Sequence, residues 1–187
     1  MGDARASRAR HPACAFFLTV KDGVAELVFD LPGEKVNILR ATVMEELDKT
    51  LRELRERGDV ACLVVKSGKP GNFIAGADLH EFGAITDGKT AAEMAGNGQG
   101  IYNILDDLPF PTIAQINGAA VGGGLELALA CDYRVVTDDP RTKLSLPETT
   151  IGIVPGFGGT YRLPRTIGLT AALRMILTGS PVDGPRA

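Results

Sequence analysis

Thr112-Ile113-Ala114-Gln115-Ile116-Asn117-Gly118-Ala119-Ala120-Val121-Gly122-Gly123-Gly124-Leu125-Glu126 runs from a β-type apolar stretch through glycines into an apolar helix carrying one acid. Residues 112–116 read as a strand and 125–130 as a helix, which places the glycines at the strand-to-helix transition. Consecutive glycines let backbone approach a ligand with no β carbon between, and the first N–H groups of a helix have no internal acceptor. A developing negative oxygen can be held there by amides and by the positive end of the helix. For the glycines alone, a tightly packed helix start is the other reading. Glu126 weighs against it, because a carboxylate among Leu125, Leu127, Ala128 and Leu129 is costly unless it meets a polar cavity or partners.

A second acid follows in Leu146-Pro147-Glu148, and a second glycine-rich run, Pro155-Gly156-Phe157-Gly158-Gly159, comes just after it. Two acids beside free amides indicate acid/base chemistry on a polarised carbonyl.

Upstream, residues 14–20 and 24–30 read as strands joined by a hairpin turn at Asp22-Gly23. Residues 41–57 read as a helix. Thr42-Val43-Met44-Glu45 matches a capping box, Met44, Leu47, Leu51 and Leu54 form its apolar stripe, and Gly58 is placed to end it. Residues 60–66 form a nearly continuous apolar strand suited to burial on both faces of a parallel sheet. Residues 69–78 read as a loop in which Asp78 caps the next helix. Residues 90–108 read as a helix that Gly96, Gly98 and Gly100 weaken and that Pro109 and Pro111 close. Downstream, 132–136 reads as a strand, 144–146 as a short apolar piece, Pro164 and Gly168 frame a break, and 171–177 is helical. After Gly179, Pro181, Gly184 and Pro185 disfavour any regular element. Alternating strands and helices predict an α/β domain with repeated crossovers.

The 187 residues suit one domain, and 20 Lys+Arg against 23 Asp+Glu leave a net charge of −3. No basic stripe with interleaved aromatics is present, which argues against a nucleic-acid partner. No apolar run approaches the roughly 20 residues needed to span a bilayer. Cys14, Cys62 and Cys131 lack metal-ligand spacing, and the last two sit in apolar runs, as reduced thiols of a cytoplasmic protein do. With only His11 and His80 as imidazoles, no metal set is expected. Residues 1–12 are expected to be a disordered leader, 13–179 the core, and 180–187 a truncated or flexible end.

The segments Phe73-Ile74-Ala75-Gly76-Ala77-Asp78, Ile116 through Ala128, Cys131-Asp132, Pro147-Glu148 and Gly152-Ile153-Val154-Pro155-Gly156-Phe157-Gly158-Gly159-Thr160, in that order, resemble the crotonase, or enoyl-CoA hydratase/isomerase, superfamily. The similarity covers residues 14–179. Asn72 through Asp78 and Thr137-Asp138-Asp139-Pro140-Arg141-Thr142 are most similar to the hydratase region of fatty-acid oxidation complex alpha subunits.

The resemblance implies an α/β crotonase (ClpP/crotonase-like) fold of repeated ββα units, here lacking the family's C-terminal helical region. It implies an acyl-CoA thioester substrate and no required cofactor, coenzyme A being part of the substrate. The oxyanion hole would be the N–H groups of Ala77 and Gly123. Glu126 and Glu148 match the catalytic pair, Glu126 with the water and Glu148 with the C2 proton. Phe73, Ala75, Gly76, Ala77, Asp78, Gly122 and Gly123 would lie along the coenzyme A and substrate. The activity implied is hydration of trans-2-enoyl-CoA. The alternatives are isomerisation of 3-enoyl-CoA to 2-enoyl-CoA, or an inactive acyl-CoA-binding or assembly fragment. The implied partners are further copies in a trimer-like assembly and, in an oxidation-complex parent, a thiolase beta subunit.

Overall fold

The computed structural model describes residues 14–83 and 85–187. The expected leader lies outside the described residues. In chain order the elements are β1 (Phe16–Lys21), β2 (Val24–Phe29), α1 (Ala41–Arg55), β3 (Cys62–Ser67), β4 (Gly71–Ile74), α2 (Leu79–Gly83), α3 (Gly88–Asp106), β5 (Thr112–Ile116), β6 (Gly118–Val121), α4 (Gly123–Ala130), β7 (Tyr133–Val136), β8 (Lys143–Ser145), α5 (Gly159–Ile167), α6 (Leu169–Thr178) and β9 (Val182–Asp183). A 3-10 turn, Glu148–Ile151, follows β8, and another, Gly184–Arg186, ends the chain.

Two sheets alternate along the sequence. Five strands pair in the order β1-β2-β3-β5-β7, and four in the order β4-β6-β8-β9. Within the successive pairs β3/β4, β5/β6 and β7/β8, the first strand joins the larger sheet and the second joins the smaller one. Neighbouring first strands, β3 with β5 and β5 with β7, are parallel, as are second strands β4 with β6 and β6 with β8. This is the predicted α/β architecture of repeated ββα units. The N-terminal hairpin pairs antiparallel through Asp22 and Gly23, both at positive φ, so the Asp-Gly reading of that turn holds.

Strand β3 buries Leu63 and Val65 while Cys62 and Val64 are half-buried, so one of its faces is closed more completely than the other. Helix α1 buries Val43, Met44, Leu47, Leu51 and Leu54. Its start differs from the capping-box expectation: Arg40 is the N-cap and gives no side-chain cap. The Ala41 N–H instead donates to Glu81 Oε2 at 3.0 Å, because α2 is packed close enough for a tertiary carboxylate to serve the helix end.

Several short elements depart from the sequence reading. The 69–78 stretch is not a simple loop, since β4 lies within it. Likewise β6 intervenes between Asn117 and the α4 glycines, where a single strand-to-helix transition was expected. Asn117 marks the corner between β5 and β6, and its Nδ2 donates to the Lys69 carbonyl at 2.9 Å. Helix α5 passes through Pro164 and ends only at Gly168 (φ 80°), so Pro164 marks no break. The tail after Gly179 does contain regular structure: β9 pairs antiparallel with β8 through Lys143↔Asp183 and Leu144↔Val182. An otherwise open strand edge supplies the ladder partners that local composition does not predict.

The core spans both sheets. Asn37, completely buried, links its parts. Its Oδ1 accepts from the Leu31 N–H at 3.0 Å, and its Nδ2 donates to the Phe29 carbonyl at 2.8 Å, to Ser67 Oγ at 2.9 Å and to the Phe73 carbonyl at 3.1 Å. One amide thereby ties β2, β3 and β4 together, and each group it serves would be expensive to bury unpaired.

Candidate active site

Helix α4 is buried along its whole length, so Glu126 enters the interior at 2% exposure. Its Oε1 accepts from the N–H of Phe157 at 2.8 Å and from the N–H of Gly159 at 2.7 Å. A β carbon on Gly159 would stand 2.9 Å from that oxygen, so the glycine is what permits the contact. Burial raises the Glu126 pKa to about 7, and the neighbouring Glu148 charge adds to this, against the lowering effect of the two amides and Arg162.

Glu148 opens the 3-10 turn after β8 and lies over the start of α4, where a β carbon on Gly122 would be 2.9 Å from its Oε1. Gly122 also adopts φ 53°, so both backbone conformation and close approach call for glycine. Glu148 Oε2 is buried with no hydrogen-bond partner, and burial raises this carboxyl's pKa as well.

Both acids border one cavity of about 950 Å³, together with Ala75, Gly76, Ala77, Gly122 and Gly123. Two backbone donors stand in the same wall. Ala77 forms a parallel bridge with Leu39 in which Leu39 donates to the Gly76 carbonyl at 2.9 Å and accepts from the Asp78 N–H at 3.0 Å. That pattern turns Ala77's own N–H to the opposite side. Gly123 is the first residue of α4, and its N–H has no intrahelical acceptor, while the Gly122 N–H is spent on the Ser145 carbonyl at 2.9 Å. Tyr102, fully buried, donates its hydroxyl to the Gly123 carbonyl at 2.8 Å and so steadies that peptide.

Of the residues expected along the substrate, Ala75, Gly76, Ala77, Gly122 and Gly123 are brought together with the two acids. Phe73 is not. At 1% exposure its ring belongs to the core; it sits at the register irregularity of β4, where Asn72, Phe73 and Ile74 are all buried. Asp78 pairs with Arg40 at 2.9 Å, caps α2 through the His80 N–H at 2.9 Å, and borders an adjoining cavity of about 570 Å³ that shares Ala77, Met94 and Phe157 with the first. The Arg40 contact lowers the Asp78 pKa.

Sequence reasoning missed Phe157 and Tyr102. The Phe157 ring occupies the place a Gly98 side chain would take, packs on Gly123, and meets Tyr102 edge-on at 5.6 Å. The available signal was Gly98 itself, since a glycine inside an otherwise helical pattern points to a close neighbour. Among the described residues no group of His, Cys, Asp or Glu is arranged to hold a metal ion, and no helix is long and apolar enough to cross a membrane.

The Glu126 environment has a consequence for stability. Its folded pKa of about 7 lies above the ordinary 4.5, so the fold favours the protonated form. That contribution is fully present below the unfolded pKa and is lost as pH rises through about 7. The urea midpoint is therefore expected to fall between about pH 5 and about pH 8, and Glu126→Gln to flatten that fall. An identical slope in the variant would assign the pH dependence to other groups.

The enoyl-CoA hydratase/isomerase family matches residues 19–187. The fatty acid oxidation complex subunit alpha of Vibrio campbellii is 45% identical over 174 residues, covering 92% of this chain and 25% of the relative. The chain thus spans about a quarter of that curated relative's length. Among solved structures, Pseudomonas aeruginosa DspI superposes with a TM-score of 0.84 at 34% identity, covering 95% of this chain and 70% of that one. The enoyl-CoA hydratase of Bacillus anthracis gives a TM-score of 0.83 at 32% identity, covering 90% and 64%. Because the family match takes in both acids and both glycine-rich segments, and the same relationship holds in sequence and in fold, the chain belongs to the enoyl-CoA hydratase/isomerase family.

Proposed function

We propose that this chain carries enoyl-CoA hydratase chemistry, adding water to trans-2-enoyl-CoA to give 3-hydroxyacyl-CoA in fatty-acid β-oxidation. The supporting observation is the placement of a buried carboxylate, Glu126, a half-buried one, Glu148, and two uncommitted amide donors around one cavity. The thioester oxygen takes the N–H groups of Ala77 and Gly123. As the oxygen of water bonds to C3, the C2–C3 π electrons move toward the thioester and the oxygen becomes enolate-like. Loss of one donor at such a site costs roughly 10²- to 10³-fold in rate. Glu126 accepts the proton that leaves the water, and Glu148 gives a proton to C2, so the net change is H and OH across the double bond. The two acids act as one coupled unit, with proton exchange restoring the starting states.

Loss of the conjugated enoyl-thioester absorbance, with one oxygen of heavy-oxygen water appearing in the product, is the expected result. Turnover without label would replace hydration with double-bond isomerisation. Tight acyl-CoA binding with no turnover would leave a binding module.

The same reading carries the partners and the compartment. Self-association in a trimer-like assembly is supported by the exposed Leu169, Leu173 and Leu177, which recur at one face of α6. A partner subunit, for which the resemblance implies a thiolase, is supported by the relative's description as one subunit of a complex. The free thiols of Cys14, Cys62 and Cys131 support a reducing, cytoplasmic setting. Sedimentation as a monomer at every concentration would remove the self-association proposal.

A further inference from the structure

Arg162 is the fourth residue of α5, and its side chain is only 8% exposed. It borders neither of the two cavities described above. Its guanidinium joins three parts of the fold. Nη2 donates to Asn103 Oδ1 at 2.7 Å and to Asp106 Oδ2 at 3.1 Å, Nε donates to the same Asp106 oxygen at 3.2 Å, and Nη1 donates to the Phe157 carbonyl at 3.2 Å. Gly158, at φ 106°, leaves the space that Nη1 fills, since a β carbon there would collide with it. The turn gripped in this way is the one whose Phe157 and Gly159 amides converge on Glu126 Oε1.

Desolvating a guanidinium costs several kcal/mol, and a neutral side chain would pin a turn without that cost. Asp106 Oδ2 offsets part of that cost at 3.1 Å, and on the inner side the same charge lowers the Glu126 pKa. Its ion-pair partner is Asp106 on α3, and its charge acts on Tyr102 on α3 and on Glu126 on α4, while Cys131 faces Tyr102 and Glu148 faces Glu126. Tyr102 and Cys131 are both held protonated by burial, and Asp106 is half-exposed at the outer end of the fork. The buried carboxyl on the inner side is Glu126. We propose that Arg162 is a positioning residue for Glu126, clamping the 157–159 turn through the Phe157 carbonyl and setting a permanent positive charge behind the two amides that receive Oε1. One carboxylate oxygen is thereby fixed, and the carboxylate form is favoured where the proposed hydration needs a base. The catalytic part of this inference rests on the hydratase reading; the effect on Glu126 itself does not.

The experiment is a carbon NMR titration of the chain labelled at glutamate carboxyl carbons, with the Glu126 resonance identified by its absence in Glu126→Gln. In Arg162→Met the Glu126 midpoint is expected to rise by about one pH unit, a tenfold smaller ionised fraction below the midpoint. Arg162→Lys retains the charge without the fork and should titrate close to the parent. Turnover of a short enoyl-CoA near neutral pH should fall about tenfold in Arg162→Met, with KM changed less than about twofold, and recover as pH is raised. A merely structural role predicts no such alkaline recovery. Asn103→Asp, at an exposed position facing the guanidinium, offsets the charge without removing Arg162 and should raise the same midpoint even if Arg162→Met fails to fold. Parent midpoints in folded Arg162→Met, or in Asn103→Asp where Arg162→Met does not fold, would overturn the proposal. Failure of hydration with the shifts intact would instead count against the hydratase reading alone.

Discussion

Glu148→Gln is expected to lower kcat for hydration of a short trans-2-enoyl-CoA by roughly 10²- to 10⁴-fold, the range for loss of a positioned general acid or base. The amide preserves side-chain size and its contact over Gly122, where the spacing to a β carbon would be only 2.9 Å. It removes the proton that the mechanism delivers to C2. Glu148 Oε2 has no protein partner to compensate, so the lost function cannot be taken over within its own hydrogen bonds. Because burial raises the pKa of this carboxyl, the substitution also relieves a desolvated acid. Thermal stability should therefore hold or rise while activity collapses, which separates a chemical defect from a folding one. Initial rates at the enoyl-thioester absorbance give the measurement, and turnover within about twofold of the parent would remove Glu148 from the proton path.

The largest structural effect is expected at Gly118, where the backbones of β4 and β6 meet. A β carbon there would fall on the Gly71 carbonyl group and 2.5 Å from the Asn72 nitrogen. These are main-chain atoms, so no rotamer change relieves the overlap. Strand β4 must move off β6, breaking the Gly71↔Gly118 and Asn72↔Ala119 pairs. The same displacement reaches the proposed oxyanion donors, since β4 leads to Ala77 and β6 leads to Gly123. Gly118→Ala is expected to cost about 4 kcal/mol or to prevent folding. Gly100→Ala is the control: nothing lies within 4 Å of the new methyl, and the helix α3 should gain up to about 1 kcal/mol. Equal urea midpoints for the parent and Gly118→Ala would show that β4 and β6 are not in contact as described.

Gly118 also shows where sequence reading stops. Strands β1, β2, β3 and β5 were legible because their β-branched and aromatic runs carry the signal that pleated, half-buried surfaces select. The second-sheet strands β4 and β6 are four residues each, Gly-Asn-Phe-Ile and Gly-Ala-Ala-Val, too short for an alternating pattern to show, and their glycine, asparagine and alanine have little preference for a strand. Their pairing comes from close backbone approach between segments far apart in the chain. The same holds for β9, whose two residues become a strand because β8 presents an open edge.

For the site, the sequence alone determined that Glu126 would be buried, since Leu125, Leu127, Ala128 and Leu129 leave its helix no solvated face, and that the glycines before it would open backbone to a ligand. It also marked Glu148, Ala77 and Gly123 through their motif. It did not tell which donors would meet Glu126, because every residue except proline carries the same N–H and composition cannot distinguish one from another. Tertiary structure alone decided that these are the amides of Phe157 and Gly159, 31 and 33 residues away, brought in by α5 packed against α4 with Arg162 behind them. Likewise it decided that Phe73 faces the core and Asp78 faces Arg40. The side to which a strand residue turns, and the partner a loop carboxylate finds, depend on strand register and on neighbours distant in sequence.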